Sequence, residues 1–126
     1  MKKNYFLLSA ALFGMLAVII GAFGAHGLEK FVDAKMLQRF HTGVEYQFYH
    51  ALALGLVGVL WKNQPSVWHS RAAWGFIVGI LIFSGSLYAY VLTGFTQFGM
   101  ITPIGGLSFI AGWGCLAWGT WRTEPT

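Results

Sequence analysis

A chain of 126 residues with 56% hydrophobic and 10% charged side chains is long enough for one domain. It has too few charges to cover a water-soluble surface, which ordinarily carries about 25% charged residues. The formal charge of +4 does not point to nucleic acid, because the basic residues stand at the ends of apolar runs and form no cluster of their own.

A helix needs about 20 mostly apolar residues to cross a bilayer. The first such run covers residues 5–25 and contains no charge. Lys2 and Lys3 ahead of it, and "GAFGA" near its end, also fit a signal peptide. The run is longer than the apolar core of about 7–15 residues that such peptides use, which favours a retained helix. Ala17, Gly21 and Ala25 line one side of it at four-residue spacing. Residues 27–42, mixing acids and bases, read as a connection. The second run, 43–61, carries one acid, Glu45. Residues 62–71 contain Pro65 and read as a polar turn, on which His69 is expected to be exposed. The third run, 72–93, is uncharged and holds Gly75 and Gly79; "GFTQ" (94–97) is a tight turn. The fourth, 98–121, is uncharged and pairs Ser108 with Gly112.

Short links favour antiparallel neighbours, so the expected fold is all-α: an integral membrane up-down four-helix bundle filling residues 1–126 as one domain. Lipid gives helices no hydrophobic reason to associate, so small residues at four-residue spacing are the expected contacts. Trp61, Trp68, Trp74, Trp118 and Trp121 form an aromatic belt near one end. That end also collects Lys2, Lys3, Lys62, Arg71 and Arg122, against Lys30, Lys35 and Arg39 at the other, which predicts cytoplasmic termini. Cys115 lies alone in an apolar run, so it excludes an internal disulfide and reads as an inert buried thiol.

In an up-down bundle the polar residues of the four runs meet at the non-cytoplasmic end. They are His26, then His41, Glu45, Tyr46, Gln47, Tyr49 and His50, then Ser84, Ser86, Tyr88, Tyr90 and Thr93, then Thr102 beside Pro103. At 1.5 Å per residue His50 lies about 13 Å along the helix from His41, a depth at which ionisable groups turn inward. Glu45 and His50 are both expected to face the interior. A neutral His50 bonded to Tyr88 or Thr102 would meet that demand, as would Glu45 held by Tyr46, Gln47 or His26. The cluster reads either as a structural polar clamp or as a ligand site. Two histidines and a carboxylate can hold a metal, and two histidines a haem, but no close ligand spacing selects either, so no metal or cofactor is assigned. No phosphate loop, nucleophile elbow or paired carboxylates appear, so no catalytic residue is assigned and the protein is not expected to be an enzyme.

"GAFGAH" (21–26), "TGVEYQFYHALAL" (42–54), "FSGSLY" (83–88) and "TPIGG" followed by "F-x-AGW" (102–113) together resemble the YgdD/YwdK family of small bacterial inner-membrane proteins. The resemblance covers nearly the whole chain. It implies a four-span fold and an inner-membrane location, and it implies no activity. It marks His26, Glu45, Tyr46, Gln47, His50, Ser84, Ser86 and Tyr88, and adds Gly105 and Gly106 to Gly21, Gly75, Gly79 and Gly112 as packing positions. His41 departs from its pattern, which weakens a metal site built on His41 and Glu45. The expected function is therefore that of an accessory or packing protein of the membrane, or one that binds lipid or another apolar ligand at its polar end. Its partners would be membrane lipids, a second copy or another membrane protein. The alternative is a small transporter using Glu45 and His50 as a proton-coupled pair.

Overall fold

The computed structural model describes residues 4–122, with the side chain of Ala25 excepted. Lys2 and Lys3, which enter the charge count above, lie outside the described residues. Four helices follow one another: α1 (Tyr5–His26), α2 (Ala34–Asn63), α3 (Val67–Thr93) and α4 (Gln97–Arg122). No strand occurs among the described residues.

Local chemistry sets the boundaries. Asn4 caps α1 by accepting from the Leu7 amide at 3.1 Å. Asp33 caps α2 through the Met36 amide at 2.8 Å, and Ser66, just after Pro65, caps α3 through Trp68 at 3.2 Å. These side chains satisfy amides that a helix start leaves open. Gly94 ends α3 in the left-handed conformation at φ 77°, which only glycine adopts without cost. The helix α2 begins at Ala34, well inside the stretch 27–42 expected to be a connection. Apolarity marks where a helix enters lipid, not where it starts, and residues 34–39 (Ala-Lys-Met-Leu-Gln-Arg) are strong helix formers.

The bundle runs up and down. Along α1 and α2, residue 4 meets 58 and residue 24 meets 40; along α2 and α3, residue 43 meets 84 and 87; along α3 and α4, residue 75 meets 112 and residue 68 meets 119. α2 lies centrally, with α1 on one side and the α3–α4 pair on the other. Ala53, Leu54 and Val57 of α2 fill the core with Ala72, Ala73, Phe76 and Ile80 of α3 and Phe109 of α4. Among the described residues, α1, α3 and α4 are long and apolar enough to cross a membrane. α2 has the length but not the apolarity, because Glu45, Gln47 and His50 interrupt its run.

The glycines expected to pack divide into two kinds. A Cβ on Gly75 would sit 2.8 Å from the Gly112 Cα, and one on Gly112 would sit 2.8 Å from the Phe76 ring. Gly79 and Gly105 face the Phe109 ring and the Phe83 backbone more closely still, and Gly21 meets Val44 at 3.2 Å. Gly106 differs: its nearest neighbour, the Phe83 ring, is 3.9 Å away, ordinary contact that would admit a side chain.

α3 contains a π-helical turn, Ile80–Ser84, between α-helical segments Val67–Gly79 and Gly85–Thr93. The wider turn re-aims the residues that follow it relative to an unbroken α-helix. Ser84 and Ser86 are both buried.

Candidate functional site: the polar end of the bundle

Gln47 is 3% exposed and joins three helices. Its amide nitrogen donates to the Phe13 carbonyl of α1 at 2.9 Å, and its carbonyl oxygen accepts from the Tyr88 hydroxyl of α3 at 2.7 Å. The backbone carbonyl can only accept, so the amide has one orientation. One turn earlier, Ser84 donates to the Gly43 carbonyl at 2.7 Å, again tying α3 to α2. Gly43 is required there, since a Cβ would come within 2.8 Å of the Tyr88 ring. Ser86 donates to the Phe83 carbonyl at 2.9 Å and lies against the Thr102 hydroxyl, which also has the Phe98 carbonyl at 3.3 Å. That pair ties α3 to α4.

His50 is buried deeper in the bundle. Its ring stacks on Phe109 with centroids 3.6 Å apart and lies tilted against Phe76, with centroids 5.6 Å apart. The Trp113 indole N–H stands 3.0 Å from Nε2, and Nδ1 stands 2.8 Å from the Tyr46 carbonyl. An indole nitrogen can only donate and a carbonyl can only accept. The proton therefore sits on Nδ1, and the ring is neutral with both nitrogens satisfied. Its partners are not the expected Tyr88 or Thr102.

Glu45 does not face inward; it is exposed on the outer face of α2. Residues five apart on an α-helix point about 140° away from each other, so Glu45 and His50 cannot share a side. The Tyr49 hydroxyl reaches the Glu45 carboxylate at 3.5 Å; Tyr46, Gln47 and His26 do not hold it. Glu45 borders an apolar groove of about 420 Å³ against Ala17, Gly21 and Ala22 of α1. His26 is exposed at the end of α1, while Tyr46 is partly exposed with its ring 4.7 Å from Phe83. His69 is 3% exposed inside α3, not on a loop, with Nδ1 3.4 Å from the Gln64 carbonyl. The helix starts at Val67, earlier than apolarity indicates, and its first turn folds inward against Gly119.

The structure thus brings together Gln47, Tyr88 and Ser84 in one group and Ser86 and Thr102 in another, leaves His50 with Trp113, and sends Glu45 and His26 outward. Among the described residues no three histidine, cysteine or acidic side chains converge as metal ligands would. Sequence reasoning missed Trp113. Its signal was position: it lies in mid-helix, away from the tryptophans near the other end, and its indole N–H is a donor that seeks an acceptor.

A family model described as "Protein of unknown function (DUF423)" matches residues 20–106. The UPF0382 membrane protein YwdK of Bacillus subtilis is 45% identical over 109 residues, spanning 86% of this chain and 89% of its own. The UPF0382 membrane protein of Haemophilus influenzae is 40% identical over 123 residues, spanning 97% and 98%. The UPF0382 inner membrane protein YgdD of Escherichia coli K12 is 37% identical over 124 residues, spanning 98% and 95%. No solved structure matches.

Proposed function

The chain belongs to the DUF423 family of small integral membrane proteins, and we propose that it serves as an accessory or packing protein of the bacterial inner membrane that binds lipid or another apolar partner. In this proposal α2 is the fourth span and both termini are cytoplasmic. The polar end acts as a clamp that fixes the helices. The observation that carries it is Gln47, whose buried amide donates to α1 and accepts from α3, holding both to α2. Ser84 and His50 are engaged in the same way, with Gly43 and with Trp113 and Tyr46. A carrier site keeps polar groups free for its cargo.

A proton-coupled transporter needs Glu45 and His50 to exchange a proton, and the two lie on different sides of α2, with His50 closed in by Phe76, Phe109 and Trp113. Proteoliposomes carrying a pH gradient and an internal pH dye test the choice. The expected proton flux equals that of empty vesicles. Flux abolished by both Glu45→Gln and His50→Gln would overturn the proposal. Labelling of a cysteine placed at position 35, on a Cys115→Ser background, from the cytoplasmic side only would overturn the topology.

A further inference from the structure

At the same end of the bundle, α2, α3 and α4 form an open pocket of about 240 Å³ lined by Arg39, Leu87, Tyr90, Gly99, Thr102 and Pro103. The polar groups described above are committed elsewhere. Arg39 is not. Its guanidinium carbon lies 4.8 Å from the centre of the Tyr90 ring, and one N–H meets the Met36 sulfur at 3.9 Å. A thioether is a weak acceptor, and a guanidinium carries five N–H donors. Among the described residues no carboxylate pairs with it. The Asp33 carboxylate, on the preceding turn of chain, caps the Met36 amide.

The cation is also held in place. The Tyr90 ring packs over Gly99 so closely that a Cβ there would lie 3.0 Å from it. Glycine at this position lets one edge of the ring approach α4 while Arg39 sits over the ring. Arg39 lines the pocket, and apart from the Tyr90 face and the Met36 sulfur its N–H donors have no partner among the described residues. Gly99 belongs to the first turn of α4, whose helix dipole adds partial positive charge. Leu87 and Pro103 give the remaining wall an apolar character.

We propose that this pocket binds a phosphate group through Arg39. A planar fork of N–H donors matches two oxygens of a phosphate, and a pocket with one apolar wall suits a phosphate bearing an organic substituent. A phospholipid headgroup and free phosphate share that chemistry. The proposal deepens the lipid-binding part of the function given above.

The test uses the full chain in detergent, with thermal midpoint and native mass spectrometry as readouts. Three probes are titrated: dihexanoylphosphatidylglycerol, inorganic phosphate, and dihexanoylglycerol, which lacks the phosphate. Phosphatidylglycerol is expected to raise the midpoint, and Arg39→Gln to weaken its binding about ten-fold or more, as loss of one charge-assisted hydrogen bond predicts. The midpoint without lipid should fall only slightly, by loss of the contact with Tyr90. If inorganic phosphate produces the same Arg39-dependent shift, the ligand is free phosphate; if only the lipid does, it is a headgroup. Equal binding of phosphatidylglycerol by wild type and Arg39→Gln overturns the proposal, as does a shift of equal size from dihexanoylglycerol. Should Arg39→Gln lower the basal midpoint substantially, Arg39→Lys carries the test. It keeps the charge and loses the fork, and undiminished binding by it overturns the proposal. Proton flux decides the transporter question separately, so the two failures cannot be confused.

Discussion

The two outer seams of the bundle use the same residue types and end up differently. Between α3 and α4 the backbones touch: Gly75 faces Gly112, Gly105 receives the Phe83 backbone, and Ser108 donates to the Gly75 carbonyl at 2.8 Å. Between α1 and α2 the contact is intermittent. Asn4 donates to the Gly58 carbonyl at 3.0 Å, Gln47 reaches Phe13, and Gly24 lies under Phe40, but Gly14 has nothing within 4 Å. Grooves of about 400 and 420 Å³, sharing Val18 and Phe48, run along that seam. Far less of the apolar stretch of α1 is buried than of α3. Small residues permit close approach without enforcing it. The α3–α4 seam closes because glycine meets glycine across it and a hydroxyl bonds to the backbone at the same level. α1 meets Phe48 and Leu52 across its small residues instead. It therefore keeps an open, lipid-facing side.

The largest expected effect comes from filling the closed seam. A methyl group at Gly75 would meet backbone atoms, which cannot rotate away as a side chain can. Gly75→Ala should cost about 1–3 kcal/mol, the range for overpacking, and Gly75→Leu more. Gly79→Leu should behave likewise, since it drives a side chain into the Phe109 ring. Ile82→Leu, a volume-conserving swap in the same helix, should cost less than about 1.5 kcal/mol. Thermal midpoints in detergent compare them; equal midpoints for Gly79→Leu and Ile82→Leu would show that the seam is not tight.

Next in size is Gln47→Leu. It removes two hydrogen bonds and leaves the Tyr88 hydroxyl facing an apolar side chain. A loss of about 2 kcal/mol follows, from roughly 1 kcal/mol per bond. Tyr88→Phe in the same background should then cost little, because its acceptor is already gone. A double variant as impaired as the sum of the two singles would mean that the Gln47–Tyr88 bond does not exist.

That coupling marks where the sequence was readable and where it was not. Runs of apolar residues place α1, α3 and α4, and four-residue spacing of small residues finds Gly75, Gly79 and Gly112. Helix ends were read less well. The starts of α2 and α3 depend on Asp33 and Ser66 as caps, and apolarity is blind to caps. Within the polar end, helical depth identified His50 as a buried group but not its partners. Gln47 was expected as a donor to Glu45, not as the buried tie between α1 and α3. Which face a residue takes depends on where neighbouring helices lie. Glu45 was expected inside because it is charged and deep, yet the angle between residues 45 and 50 forbids both pointing the same way. The π turn at Ile80–Ser84 has no sequence signal of its own, so the pairing of Ser84 with Gly43 could not be foreseen.

His50 offers a smaller and more selective effect. His50→Leu takes the acceptor from the half-buried Trp113 indole N–H and should cost about 1 kcal/mol, the usual net value of one hydrogen bond. His50→Gln can still accept from Trp113 through its carbonyl oxygen, although it forfeits the stack on Phe109. It should therefore retain more of the wild-type midpoint than the leucine variant. Trp113→Phe should remove that advantage, because no N–H then remains to be satisfied. If glutamine and leucine at position 50 prove equally costly in the wild-type background, the hydrogen bond contributes nothing and only the ring stack matters.

The smallest effect returns to the open seam and has the opposite sign. Gly14 sits in the middle of α1, in helical conformation, with no atom within 4 Å of where its Cβ would be. Alanine is a better helix former than glycine by up to about 1 kcal/mol in water. Lipid lowers that advantage, because a backbone without water has no good alternative to the helix. Gly14→Ala should accordingly raise the midpoint slightly, by a few tenths of a kcal/mol, and alter nothing else. Gly112→Ala is the matched change on the other seam, and there the methyl would meet the Phe76 ring at 2.8 Å and the Ala72 carbonyl at 3.2 Å. The same substitution should thus stabilise α1 and destabilise the α3–α4 pair. A loss at Gly14 comparable to that at Gly112 would mean that a second protein surface, not lipid, lies against α1, since only a close neighbour absent from the single chain could be displaced by one methyl group. Chemical cross-linking between cysteines placed at position 14 of two copies, in membranes and on a Cys115→Ser background, would then tell whether that neighbour is another molecule of the same chain.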